Sequence, residues 1–351
     1  MDLQRRNRYL MSLQRTSRRA FLLVVSASVS WGTIGVANQA LYASSATNAL
    51  SLTFWRLAIA TPVFFLVSWK RLGRRLFHIR QRDLAMMIGM GCLMALSQAW
   101  YAAAIAATGV SVSTLVAVCT IPVIVALFSS LLIRERVTLP TLLALVTAVS
   151  GAILLVMARP QLKDASVSLP GVSFACLSAG SYAGFILCGR HLGNSYDPLQ
   201  INVVVFGAGA LLAMAGAAAT RLVVTYPLEG WLLLCYLGCI PSALGYALFQ
   251  TGMRSLPATV TSIVNMGEPL TAAILAWLLF HEQLGPLALL GAGLLLGAMA
   301  TILLTPQASS GSPQDTSHGA SPPVQKESSR GERAFLLASA RILCRRSRPR
   351  E

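Results

Sequence analysis

Charge is what this 351-residue chain has least of. Asp, Glu, Lys and Arg make up 11% of it, against about 25% in soluble domains. Acid is scarcer than base, with 12 carboxylates against 28 Lys and Arg. The four histidines (His78, His191, His281, His318) lie in polar gaps or tails, so no histidine–cysteine pair falls inside an apolar stretch. The seven cysteines form no C-x-x-C, and six lie within apolar stretches, where they read as small buried hydrophobes. No disulfide framework, metal or cofactor is implied. G-x-x-x-x-G-K-[ST] is missing, so nothing points to an ATP-driven pump, and neither H-E-x-x-H nor G-x-S-x-G occurs.

What the chain has is apolar length. Hydrophobic residues make up 55% and mean hydropathy is +0.65. They fall in ten blocks, at 20–42, 51–69, 84–106, 110–133, 137–157, 169–189, 199–220, 230–251, 257–280 and 284–305. Blocks near 20 residues match the thickness of a bilayer, which predicts an all-α polytopic membrane protein of ten transmembrane helices. The net charge of +16 would otherwise suggest nucleic acid. Here the basic residues sit in short gaps between apolar blocks, so they orient the chain in a lipid bilayer and no nucleic-acid partner is expected.

With the N-terminus inside, 24 of the 28 basic residues fall on the inner side, three outside, and Arg56 within a helix. That distribution places both termini in the cytoplasm. The first block follows a basic run but is long and lacks a well-placed small-x-small site, so it reads as a retained helix, with a cleaved signal peptide the alternative. Residues 1–19 read as a disordered basic arm, in which Met11 is an alternative start. Residues 306–351, rich in Ser, Pro, Gln and Gly before an Arg-flanked apolar run, read as a disordered basic tail. That closing run suits either an anionic membrane surface or no partner, and Cys344 is a conceivable lipidation site.

The stretch Val260–Glu282 has an echo upstream. A shift of 147 positions lays Thr114, Pro122, Ala126, Leu131, Leu132 and Glu135 on Thr261, Pro269, Ala273, Leu278, Leu279 and Glu282 without a gap. Shared leucines are expected by chance; a shared mid-helix proline and exit glutamate are not. The echo predicts two five-helix copies, 20–157 and 169–305. Five is odd, so the second copy enters the membrane inverted, the architecture of many secondary transporters. The repeated exit glutamates Glu135 and Glu282 suggest a structural role.

Glu268 is the residue that demands an explanation. A charge at mid-membrane depth costs at least ~2.5–3.5 kcal/mol, so it faces a cavity, a partner or a pathway. Thr261, Asn265, Glu268 and Ala272 share one helical face, which suits a watery wall or a polar helix–helix contact. Pro269 and Pro122 each remove a backbone donor and are expected to bend their helices. Arg56 either snorkels outward or pairs with a cavity group such as Glu268 or a solute carboxylate. Trp31 and Tyr182, at matched sites in the two copies, together with Gln98, Tyr246 and Gln250, are cavity candidates, whereas Trp100 and Tyr101 read as interfacial anchors. Gly293 and Gly297 form a G-x-x-x-G, suited to a homodimer seam or to close packing within one chain.

The segments SVSWGTIGVANQA, FWRLAIA, TIPVIVALFSSLLIRERV and GEPLTAAILAWLLFHEQL resemble those of EamA-like transporters in the drug/metabolite transporter superfamily, over residues 20–305. The first copy departs in having Ile121 where the second has Glu268. The resemblance implies two inverted five-helix repeats around a central cavity, and export of amino acids, related metabolites or toxic compounds across a bacterial inner membrane. The expected function is that of a secondary transporter working by alternating access, with a proton as coupling ion at Glu268, and no enzyme. An intramembrane enzyme using Glu268 as a base, or a sensor or interaction protein using its tails, are the alternatives.

Overall fold

Long runs of Leu, Val and Ala without strand-like alternation dictate helices, and the chain is all-helical among its described residues in this computed structural model. The structure describes residues 2–132, 135, 137–158, 168–193, 195–220, 222–280 and 285–304, with backbone only for 2–16 and 280. In order these are α1 (Asp2–Gly32), α2 (Ile34–Ser44), α3 (Ala49–Leu72), α4 (Gln81–Leu132), α5 (Leu139–Met157), α6 (Leu169–Leu192), α7 (Pro198–Ala219), α8 (Leu228–Leu237), a π-helical turn (Gly238–Leu244), α9 (Gly245–Met253), α10 (Ala258–Asn265), α11 (Gly267–Phe280) and α12 (Pro286–Leu304).

Nine stretches among the described residues are long and apolar enough to cross a membrane. One of them, α4, is 52 residues long. At 1.5 Å per residue a straight helix of that length would reach roughly 78 Å, more than twice a ~30 Å hydrocarbon core. It is not straight: Gly109, at φ +81°, breaks it into arms 81–108 and 110–132. Only glycine takes that conformation without a Cβ clash. Counted as two arms, α4 brings the stretches of spanning length among the described residues to ten.

Local signals set several ends. Asn48 caps α3 by accepting from the Ser51 N–H at 2.8 Å, and Lys70 and Arg71 occupy its last turn, where cations favour the helix dipole. Ser168 caps α6 and Asp197 caps α7 in the same way. The expected disordered arm is corrected: the backbone of residues 2–16 continues α1. Residues 1–19 contain no Pro or Gly, and Arg, Leu, Gln and Met are good helix formers. The tail calls, including Cys344, fall outside the described residues, as does Glu282.

In lipid, helices associate by close packing more than by burial of apolar surface. A Cβ on Gly151 in α5 would stand 2.8 Å from the Gly291 carbonyl oxygen in α12, and one on Gly291 would stand 2.7 Å from that of Gly151. The expectation of close packing through Gly293 and Gly297 is therefore corrected. Both lie on the exposed face of α12 with nothing within 4 Å of a built Cβ, and Gly291 makes the internal approach instead.

Candidate functional site

A cavity of about 1390 Å³ lies within the bundle. Every helix except α7 and α8 contributes to its wall. At one end it reaches Tyr42, Ala49, Gly109, Ala158 and Gly285, all beside links between helices; this end is its mouth. No lining residue comes from the links at the opposite helix ends, around 73–80, 193–197 and 254–257.

Glu268 lines this cavity, half-buried, from the first turn of α11. Its position follows from the chain around it. Pro269 lacks the N–H that would bond the Asn265 carbonyl, and the helix is interrupted at Met266, where ψ is −2°. Asn265 and Glu268 thus stand on either side of a break, and both line the cavity. Behind them α1 comes within backbone distance of α11: a Cβ on Gly32 would meet Thr271 Cβ at 2.5 Å and the Glu268 carbonyl oxygen at 3.0 Å.

Arg56, half-buried in α3, lines the same cavity. Its Nε donates to Ser242 Oγ at 3.3 Å, and Ser242 in turn donates to the Leu237 carbonyl at 2.7 Å inside the π-helical turn. A π turn inserts a residue into the helix and re-aims its side chains and carbonyls. Trp31 Nε1 donates to the Pro241 carbonyl of that turn at 2.8 Å. The Trp31 ring packs against Tyr246 and Phe249 at centroid distances of 4.7 and 5.1 Å, and Tyr246 meets Phe185 and Phe206 edge-on. A rigid aromatic wall results, with Tyr182 stacked on Phe185 beside it.

Seven of the nine expected cavity residues line this one space: Glu268, Asn265, Trp31, Tyr182, Gln98, Tyr246 and Arg56. Thr261 does not. It is fully buried in α10, and its hydroxyl bonds back to the Pro257 carbonyl at 3.0 Å. The face shared with Glu268 is lost because the helix does not run unbroken through Met266. Gln250 is also outside the wall, buried with neither amide atom partnered. Arg56 neither snorkels nor pairs with Glu268: among the described residues no ion pair within 4.0 Å joins them, though they are close enough for their charges to interact. Both prolines line the cavity, but α4 remains helical through Pro122 and breaks at Gly109 instead.

Several wall residues carried too little signal to be chosen beforehand. Asn38, Gln39 and Tyr42 in α2 line the cavity, and an amide pair inside an apolar block was the available clue. Tyr101, set aside as an anchor, lines it too and shares a 2.6 Å hydrogen bond with Thr114 across the Gly109 break. Trp100 stacks on Phe174 away from the wall. The Oδ1 atoms of Asn38 and Asn265 lack a protein partner, so the wall offers unused acceptors as well as a carboxylate. No group of three or more metal-ligating side chains occurs among the described residues.

The opposite end of the bundle is closed by polar contacts. Glu135 Oε1 accepts from Arg190 Nε at 2.9 Å and its Oε2 accepts from the Ala258 N–H at 2.8 Å. Arg190 Nη1 also donates to the carbonyls of Met253 and Arg254, at 3.0 and 2.7 Å. One junction therefore ties the exit of α4 and the end of α6 to the link between α9 and α10. Ser129 and Thr259 share a 2.9 Å hydrogen bond beside it.

The EamA-like transporter family model matches the chain twice, over residues 18–157 and 169–304. The chain is 27% identical to an uncharacterized transporter, YwfM, of Bacillus subtilis, over 82% of this chain and 94% of that protein. It is 26% identical to an uncharacterized inner membrane transporter, YicL, of Salmonella typhimurium, over 75% of this chain and 88% of that one. A solved crystal structure, 18% identical, shares the fold with a TM-score of 0.70 over 80% of this chain and 95% of the other.

Proposed function

Since this chain belongs to the EamA-like transporter family and is a multi-pass membrane transporter, we propose that it is a secondary exporter of small amphoteric metabolites, of the amino-acid kind, working by alternating access. The observation that carries the proposal is the pairing of unlike charges without contact. Glu268 and Arg56 line one cavity of about 1390 Å³ yet form no ion pair. A solute with an ammonium and a carboxylate satisfies both at once, and the free oxygens of Asn38 and Asn265 accept further N–H groups. The aromatic wall of Trp31, Tyr246 and Tyr182 supplies apolar and cation–π surface for the remainder.

The membrane is the bacterial inner membrane, with both termini cytoplasmic and the mouth facing out; the basic residues crowded at the opposite ends support that orientation. Residues 20–157 and 169–305 form two inverted five-helix repeats. The two family matches, the 147-residue echo and the presence of Trp31 and Tyr182 on one wall support this division. Rocking of one repeat against the other moves the central site from one side to the other. Glu268 exchanges a proton for the solute's cationic group, which couples export to proton entry. Gly293 and Gly297, exposed on α12, form the seam of a homodimer.

The test compares metabolites inside and outside cells that make the chain or its Glu268→Gln variant. Amphoteric compounds are expected to accumulate in the medium with the unaltered chain and to stay inside with the variant. Equal profiles overturn the proposal. Appearance of a compound present in neither the cells nor the medium of the controls points to an enzyme instead.

A further inference from the structure

Beyond the solute site, we propose that the Glu135–Arg190 junction is the inner gate of the carrier, and that Gln250 lines the path that opens when the junction parts. The junction is built as a releasable lock. Glu135 and Arg190 are 6% and 7% exposed, joined by an ion pair of 2.9 Å, and each has a second bond to backbone across the gap. Glu135 binds the Ala258 N–H at the first turn of α10, and Arg190 binds the carbonyls that end α9. Every one of these bonds crosses between helices; none is needed to form a helix. α10 leads directly to the Met266 break and Glu268, so a movement of its first turn is transmitted to the cavity.

Gln250 supplies an independent observation. It is 2% exposed, and neither its Oε1 nor its Nε2 has a partner. It lies against the residue before Arg190, since a Cβ on Gly189 would stand 3.0 Å from Nε2 and 3.1 Å from Oε1. A buried amide with both atoms unpaired is penalised in this state. It regains its hydrogen bonds in a state where water or solute reaches it. Asn202, fully buried in α7 four residues in from the same end of the bundle, is unpartnered at both amide atoms as well.

This inference rests on the transporter proposal, but its test needs no solute. In a background with the seven cysteines replaced by alanine, Gln250→Cys reports on the closed end and Ala276→Cys, on the cavity wall, reports on the mouth. Both are labelled with a membrane-impermeant maleimide in sealed vesicles of each orientation, on monodisperse folded protein. With the lock intact, position 250 is expected to label slowly and position 276 readily. Adding Glu135→Gln, or the milder Arg190→Lys, is expected to speed labelling at 250 by about tenfold or more and to slow it at 276, because two states of one carrier exchange populations. An unchanged rate at 250 in both lock variants overturns the gate. A rise at both positions also overturns it, since that reports loosened packing instead of a shift between states. Failure of the metabolite test leaves this outcome readable on its own.

Discussion

Glu135 and Glu268 both sit among apolar helices, and they are housed in opposite ways. Glu135 is 6% exposed, paired with Arg190 and bonded to a backbone N–H. Glu268 is half-buried, lines a cavity and has no ion pair among the described residues. The first has its charge answered by the protein itself, at the closed end. The second is answered by no such partner, and on the proposed function its charge is left for a solute or proton that comes and goes. The sequence echo treats the two copies as equivalent, yet Glu268 has Ile121 as its counterpart, so the site is asymmetric even where the scaffold is repeated. A buried charge is a structural device when its partners are fixed, and a functional one when they are not.

The contrast is broken most forcefully at the paired acid. Glu135→Ala strands the Arg190 guanidinium, and loss of one partner of a buried pair costs about 3–5 kcal/mol. Thermal unfolding in detergent is expected to show that loss, and a melting point within error of the unaltered protein would contradict it. Glu268→Gln is expected to do the reverse, leaving the melting point nearly unchanged while lowering transport in proteoliposomes about a hundredfold, or ~2.8 kcal/mol at 1.4 kcal/mol per tenfold. Its residual transport is expected to lose its pH dependence, because the titrating group is gone. Arg56→Gln keeps a polar group near Ser242 and removes the charge, and transport of an amphoteric solute is expected to fall about tenfold, by weakened binding at one end. Thr261→Val removes a hydroxyl that only bonds back to its own helix. It is expected to change stability by less than about 1 kcal/mol and transport not measurably, which separates α10 from the wall that α11 provides.

Most of this was legible in the chain. Blocks of apolar residues specify the helices, and the cost of a charge in hydrocarbon singles out Glu268. The weak points were places where tertiary context overrides periodicity. Helical periodicity puts Thr261 on the cavity face only if the helix runs unbroken through Met266, and it does not. The position of Tyr101 near a helix end suggests an interfacial anchor, but Gly109 folds α4 back so that its hydroxyl meets Thr114. For Arg56 the sequence suggests only snorkelling or a carboxylate partner, because a π-helical turn presenting Ser242 has no signature that periodicity can detect. Gly293 and Gly297 fit a motif, whereas the close approach belongs to Gly291, which is part of none.

The difference between the two acids is open to one direct measurement. The folded protein in lipid is treated with a carboxyl-reactive carbodiimide and its peptides are mapped by mass spectrometry. The cavity predicts an adduct on Glu268 and none on Glu135, since water and reagent reach only the first. An adduct on Glu135 with Glu268 untouched would contradict it.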